Sequence, residues 1–172
     1  VPQIGAPTAW AAGWTGKGVR VAVLDTGVDL SHPDLAGKVA ESRNFTEEAD
    51  PDDIVGHGTH VAGTIGGTTY GVAKAVDLVA VRVLDCSGQG DTEQVIAGIE
   101  WVTTNATGPS VANMSLGVDR VDQAVNDAVA RSIASGITYA VAAGNSMQDA
   151  CGSSPASVPA AITVGATDRV DM

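Results

Sequence analysis

The chain has 172 residues, 44% of them hydrophobic and 17% charged, which suits one packed domain and excludes a disordered segment. Its net charge of −11, from 20 acidic against 9 basic residues, argues against a nucleic-acid partner, because phosphate backbones demand clustered Lys and Arg. No apolar run approaches the roughly 18 residues a spanning helix needs, so no membrane partner is expected.

The start, Val1-Pro2-Gln3-Ile4-Gly5, has neither a basic nor an apolar leader region and reads as a processed N-terminus. Val19–Leu24 (VRVAVL), an apolar run after Gly16-Lys17-Gly18, predicts a buried strand. Glu41–Asp53 holds much of the acidic excess and predicts a solvated surface loop. A calcium site is the sharper alternative there, since hard cations take carboxylate and carbonyl oxygens, although the spacing matches no EF-hand. Asp77–Leu84 predicts a second strand. Thr92–Thr103 predicts a helix with Val95, Ile99 and Val102 on one face, Asp91 as N-cap and Gln94 three residues on. Ser110–Ser115 predicts a strand, and Asp119–Ser135 a helix whose stripe is Val121, Ala124, Val125, Ala128, Val129 and Ile133, closed by Gly136. Ile137–Ala142 and Ala161–Gly165 complete the strands.

Apolar strands alternating with helices predict an α/β fold, a doubly wound, mostly parallel sheet with helices on both faces. Without repeats or linkers, the whole chain belongs to one domain. Ligands of such sheets bind beyond the carboxyl ends of the strands. That rule singles out Asp25, Asp85, Ser115-Leu116-Gly117 and Gly144-Asn145.

Asp25, in VAVLDTGVD, places a carboxylate at the mouth of the sheet, where it can orient a base. Asp-Thr-Gly is also the signature of aspartic proteases, but that chemistry needs two carboxylates sharing a proton, and no second copy occurs. His57 lies in Gly56-His57-Gly58-Thr59-His60-Val61-Ala62-Gly63, where the glycines and Ala62 let a helix start against another backbone. Its imidazole can take a proton from a hydroxyl and return it to a leaving amine. His57 and His60 are three apart, as zinc ligands can be, yet no third ligand sits at suitable spacing. Asn145, ending Ala142-Ala143-Gly144-Asn145, can donate its amide to a developing oxyanion. The alternative is an Asn that merely turns the chain.

Together these blocks resemble the subtilase family, nearer its proteinase K and aqualysin branch than subtilisin proper. VAVLDTGVD resembles the block around the family's catalytic Asp, GHGTHVAGTIGG that around its His, and AVAAGN its oxyanion block. Gly71–Gly117 and the SPASVPAAITVGATDRVD stretch extend the likeness across the chain. The resemblance implies a serine endopeptidase with Asp25 and His57 as two members of its triad and Asn145 in the oxyanion hole. Asp25 and His57 lie 32 positions apart, as the subtilase pair does, and the family's His-to-Ser separation puts the nucleophile near position ~214. The family's Gly-Thr-Ser-Met-Ala block does not occur, so the expectation is the first two-thirds of a peptidase domain, inactive alone.

The resemblance further implies that Ser115-Leu116-Gly117 and Gly88-Gln89-Gly90 pair with extended peptide from opposite sides. It makes Ala142-Ala143-Gly144 one wall of a roomy first specificity pocket, giving broad specificity. The implied partners are protein and peptide substrates and an N-terminal pro-segment in the precursor, for a secreted monomer. Catalysis needs no cofactor. Structural calcium is implied only in part, through backbone oxygens of Pro159 and Ala161, because the Asp that completes that site is missing. Ile65–Tyr70 is too short for the calcium loop of subtilisin proper. Relatives pair the equivalent of Cys86 with a Cys just before the His block, where this chain has Ile54 and Val55, and the resemblance puts the partner of Cys151 beyond Met172, so Cys86 and Cys151 are expected not to be bonded to each other. A non-catalytic subtilase remnant that grips extended peptides is the competing reading. It would be free to lose Asp25, His57 or Asn145, and all three are present.

Overall fold

The structure is a computed structural model that describes residues 4–49 and 52–167. Its six-stranded sheet comprises β1 (Arg20–Asp25), β2 (Val39–Asn44), β3 (Asp77–Arg82), β4 (Ser110–Met114), β5 (Thr138–Ala142) and β6 (Ile162–Val164), in the order β2-β3-β1-β4-β5-β6. Every ladder between these strands is parallel. The helices are α1 (Ala6–Ala11), α2 (His57–Gly66), α3 (Thr92–Asn105) and α4 (Gln123–Ala134).

Strand side chains alternate between two cores, which explains their continuous apolar runs. Val21 and Val23 of β1, with Leu78 and Ala80 of β3, pack with Ala62 of α2 on one face. Ala22, Leu24, Val79 and Val81 pack on the other face with Val95, Ile99 and Val102 of α3 and Val125, Ala128 and Val129 of α4. Fully burying each such Val or Leu contributes ~1.5–3 kcal/mol. After β1 the chain builds β2 and β3 on one side, then crosses to β4 on the other. The strand order therefore reverses at β1, and Asp25 is the last residue of that strand.

The predicted strands all form, but β3 ends at Arg82, two residues short of the expected Leu84. Asp91 N–H donates to Gln94 Oε1 at 3.1 Å at the start of α3, as the sequence indicates. The helix expected from Asp119 starts only at Gln123, because Asp122 caps it by accepting from Ala124 N and Val125 N. Val121 consequently lies outside the helix and is exposed, Ala124 in its first turn is exposed too, and Gly136 follows the helix at φ 107° as expected.

The acidic stretch Glu41–Asp53 is not a plain solvated loop. Its first residues belong to β2, which among the described residues is an edge strand paired with β3 alone, where Arg20 and Arg43 neutralise Glu41 at 3.4 and 3.7 Å. Charged side chains suit a strand that must not recruit another. Glu48 pairs with the buried Arg82, and Asp53 is tied to the start of α2. Asp50 and Pro51 of this stretch lie outside the described residues, as do Val1–Gln3 and residues 168–172 of the last matched stretch.

Cys86 and Cys151 are both free and exposed, in line with the expectation that they are not bonded to each other. A hydrogen bond with Glu48 raises the Cys86 thiol pKa, and Asp149 does the same for Cys151. Among the described residues, no helix is long and apolar enough to cross a membrane.

One polar knot ties α3, α4 and β5 inside the apolar core. Tyr139 Oη donates to Ser132 Oγ at 2.9 Å, and Ser132 Oγ lies 2.7 Å from Thr103 Oγ1. Burial pushes the Tyr139 hydroxyl pKa up to about 12, so it stays a donor. Ser132→Ala would strand that buried hydroxyl and is expected to cost about 1–3 kcal/mol in a denaturant titration. Tyr139→Phe in the same background should recover part of the loss.

Candidate active site

Asp25 has no exposed surface, whereas the His57 side chain is half exposed at 49%. His57 Nδ1 stands 2.6 Å from Asp25 Oδ1. An ionised carboxylate can only accept, so Nδ1 carries the proton, which in a neutral imidazole leaves Nε2 with its lone pair. The same Oδ1 accepts from Thr26 N at 2.7 Å. Oδ2 has no hydrogen-bond partner among the described residues. Burial raises the Asp25 pKa, and the bonds from His57 and Thr26 pull it back only in part.

The helix start that presents His57 depends on a close backbone contact. A Cβ on Gly58 would meet Gly27 O at 2.1 Å and Asp25 Cβ at 3.1 Å. Only glycine lets α2 come this near the turn after β1, the approach the sequence anticipates. Asp53 completes the frame, accepting from Gly56 N at 2.8 Å, Thr59 N at 2.8 Å and Thr26 Oγ1 at 2.7 Å.

His57 opens onto a cleft of about 400 Å³ whose lining includes Gly88, Gln89 and Gly90, then Ser115, Leu116 and Gly117, and Asn145. The loop after β3 is shaped by Asp85, which accepts from Ser87 N at 2.8 Å and Gln89 N at 2.9 Å. Asp85, singled out as a strand-end residue, thus builds the turn that carries Gly88–Gly90. Ala142 and Gly144 border an adjoining hollow of about 270 Å³ shared with Ser115–Gly117 and Asn145. Ala143 does not join them there. It lines a separate hollow of about 100 Å³ near Asp119 and Ser146. Pro159, exposed, and Ala161, half-buried, lie just before β6, away from the linings of both the cleft and the hollow. Among the described residues, no three His, Cys, Asp or Glu side chains stand together as metal ligands would.

Comparisons with known proteins give the family. A model of the subtilase family matches residues 16–171. The chain belongs to the subtilase family. It is 52% identical over 163 residues to Alkaline serine exoprotease A of Vibrio alginolyticus, covering 94% of this chain and 30% of that protein. It is 54% identical over 158 residues to Extracellular serine proteinase of Thermus sp. (strain Rt41A), covering 91% of this chain and 38% of that one. The crystal structure of a cold adapted subtilisin-like serine proteinase superposes with a TM-score of 0.86 at 52% identity, over 90% of this chain and 57% of that chain. The subtilase chain described here thus spans about a third of the length of these two curated relatives.

Sequence reasoning missed Thr26 and Asp53 as parts of the site. Thr26 was legible only as the middle of Asp-Thr-Gly, and Asp53 was hidden in the acidic run. Ser154 and Pro155, which also line the cleft, carried no signal beyond their place in the matched C-terminal stretch.

Two outcomes follow from this geometry. Gly58→Ala is expected to displace α2 or Gly27 and to lower the unfolding midpoint markedly, since overpacking against backbone costs ~1–3 kcal/mol or more. Asp25 has a folded-state pKa above its ordinary 3.8, so it costs stability as pH rises through that window, and the cost persists above it. Asp25→Asn removes the term. Its unfolding midpoint relative to the parent is expected to shift in the variant's favour as the pH rises above 3.8.

Proposed function

We propose that the protein is a secreted serine endopeptidase in which this chain supplies the acid and the base of an Asp-His-Ser triad. The carrying observation is the 2.6 Å bond from His57 to a fully buried Asp25 at the lip of the cleft. Residues 1–172 form the N-terminal two-thirds of one subtilase domain, and the nucleophilic Ser is contributed by sequence downstream of Met172.

In this reading the peptide lies extended in the cleft between Ser115–Gly117 and Gly88–Gly90, adding itself as a strand by main-chain hydrogen bonds. The substrate's side chain enters the hollow bordered by Ala142 and Gly144, whose small residues leave room for large apolar groups. Nε2 of His57 removes the proton from the attacking Ser as that oxygen bonds to the scissile carbonyl carbon. Asp25 holds the Nδ1–H tautomer and stabilises the imidazolium that results. The carbonyl oxygen becomes an oxyanion, which the Asn145 side-chain amide and backbone N–H groups accept. His57 then passes its proton to the leaving amine, and water repeats the sequence on the acyl-enzyme.

The Thermus relative, named an extracellular serine proteinase, supports export of this protein, and a pro-segment and a monomeric state are parts of the same proposal. No metal takes part in the steps. A structural calcium could draw at most two oxygens from the carbonyls of Pro159 and Ala161, of the six to eight it takes.

Reading the coding region beyond Met172 tests the proposal directly, since a Gly-Thr-Ser-Met-Ala block is expected there. In the full-length protein, a fluorophosphonate should label that Ser and no residue within 1–172. Asn145→Ala is expected to lower kcat by about 10²–10³-fold with KM little changed, the magnitude known for the oxyanion amide of subtilisin. An undiminished kcat would remove Asn145 from the mechanism.

A further inference from the structure

One carboxylate beside the pair takes no part in the steps above. Asp53 accepts four hydrogen bonds: Oδ1 from Thr26 Oγ1 at 2.7 Å and Gly56 N at 2.8 Å, Oδ2 from Thr59 N at 2.8 Å and Thr59 Oγ1 at 2.6 Å. Burial alone would raise its pKa, but these bonds outweigh burial and keep it below its ordinary value. The group is a permanent anion near neutrality.

Two of the donors are backbone N–H groups at the start of α2. The N-cap of that helix is Gly56, which has no side chain to offer and sits at φ 84°. Asp53 supplies the missing cap from outside the helix, at the end where negative charge is favoured. A cap alone would not need the Thr26 bond. Having donated its proton to Asp53, the Thr26 hydroxyl is oriented to accept, and it does so from Gly58 N at 2.9 Å. Gly58 follows His57 directly, and Thr26 N donates to the Asp25 oxygen that faces His57. One carboxylate therefore fastens the neighbours of both partners, Thr26 beside Asp25 and residues 56, 58 and 59 around His57.

The geometry points to Asp53 as a positioning residue that fixes the Asp25–His57 distance by locking Thr26 and the first turn of α2 to one anion. This rests on reading Asp25 and His57 as the orienting acid and the general base. Asp53 touches neither side chain and acts only through the hydroxyls and amides between them. A purely capping role would lower stability and leave the rate per folded molecule intact. A positioning role lowers the rate itself, because the base loses its alignment.

The test uses the full-length enzyme on a peptide substrate, with kcat normalised to the folded fraction measured by circular dichroism. Asp53→Asn sets an amide N–H₂ against one pair of donors, and Thr26→Val removes the hydroxyl link while keeping the volume. Both are expected to lower kcat roughly tenfold to a hundredfold with KM within about twofold, since small misplacements at a catalytic site carry losses of that order. Thr26→Ser, which retains the hydroxyl, should recover most of what Thr26→Val loses. A lower melting temperature in Asp53→Asn with an unchanged kcat per folded molecule would make Asp53 a helix cap only and overturn the proposal. If Asp53→Asn does not fold, the Thr26 pair decides: Ser above Val supports the proposal, and equal rates overturn it. His57→Ala runs alongside, and undiminished turnover there would instead sink the underlying assignment of the base.

Discussion

A carboxylate with no exposed surface needs donors, and the arrangement of those donors around Asp25 governs the local structure. Burial favours the protonated acid, which could not brace an imidazole. The opposing forces are the His57 ring and the Thr26 amide, both on one oxygen. The parallel sheet fixes where that oxygen lies, because β1 is flanked by β3 and β4 and cannot shift its register without disturbing both. The glycine at residue 58 then lets α2 approach until the ring reaches it. Sheet, turn and helix thus converge on a single atom.

The surroundings of the pair are held by charge as much as by packing. Arg82 ends β3 directly opposite Asp25 in the ladder and is almost wholly buried. It pairs with Glu48 and donates to Asp52 O at 2.9 Å and Leu84 O at 3.2 Å. Those contacts anchor the segment that delivers Asp53 to the start of α2. An arginine at the end of a central strand therefore reaches the site indirectly, by securing the loop beside it. Removing Glu48 would take a carboxylate partner from a guanidinium that water scarcely reaches, and such a loss is costly.

Much of this was legible in the residues. Apolar runs of strand length located β1, β3, β4, β5 and β6, and the rule for parallel sheets placed the chemistry at their carboxyl ends. The pairing of Asp25 with His57 was likewise readable, from the two sequence blocks that carry them. What escaped had physical causes. β2 is an edge strand with only half-buried and exposed positions, so its Glu and Arg concealed it within an acidic run. α1 has six residues, too few for a period to show. The extent of α2 was masked by glycines at 58, 63 and 66, which weaken helix propensity but serve contact at 58 and 66. α4 was extended too far towards its start because Val121 fits the spacing, whereas the Asp122 cap decides where the turns begin. The role of Asp53 depends on three-dimensional bonds to residues 26, 56 and 59, and no local pattern could display it.

The two unpaired cysteines have a consequence of their own. Each lies on the surface, yet each has a neighbouring carboxylate, Glu48 or Asp149, that makes deprotonation harder. Attack on another sulfur requires the thiolate, so a thiol held in its neutral form exchanges slowly with small disulfides and reacts sluggishly with alkylating agents. Among the described residues neither sulfhydryl has a sulfur partner, and the carboxylate beside each slows the exchange that would give it one.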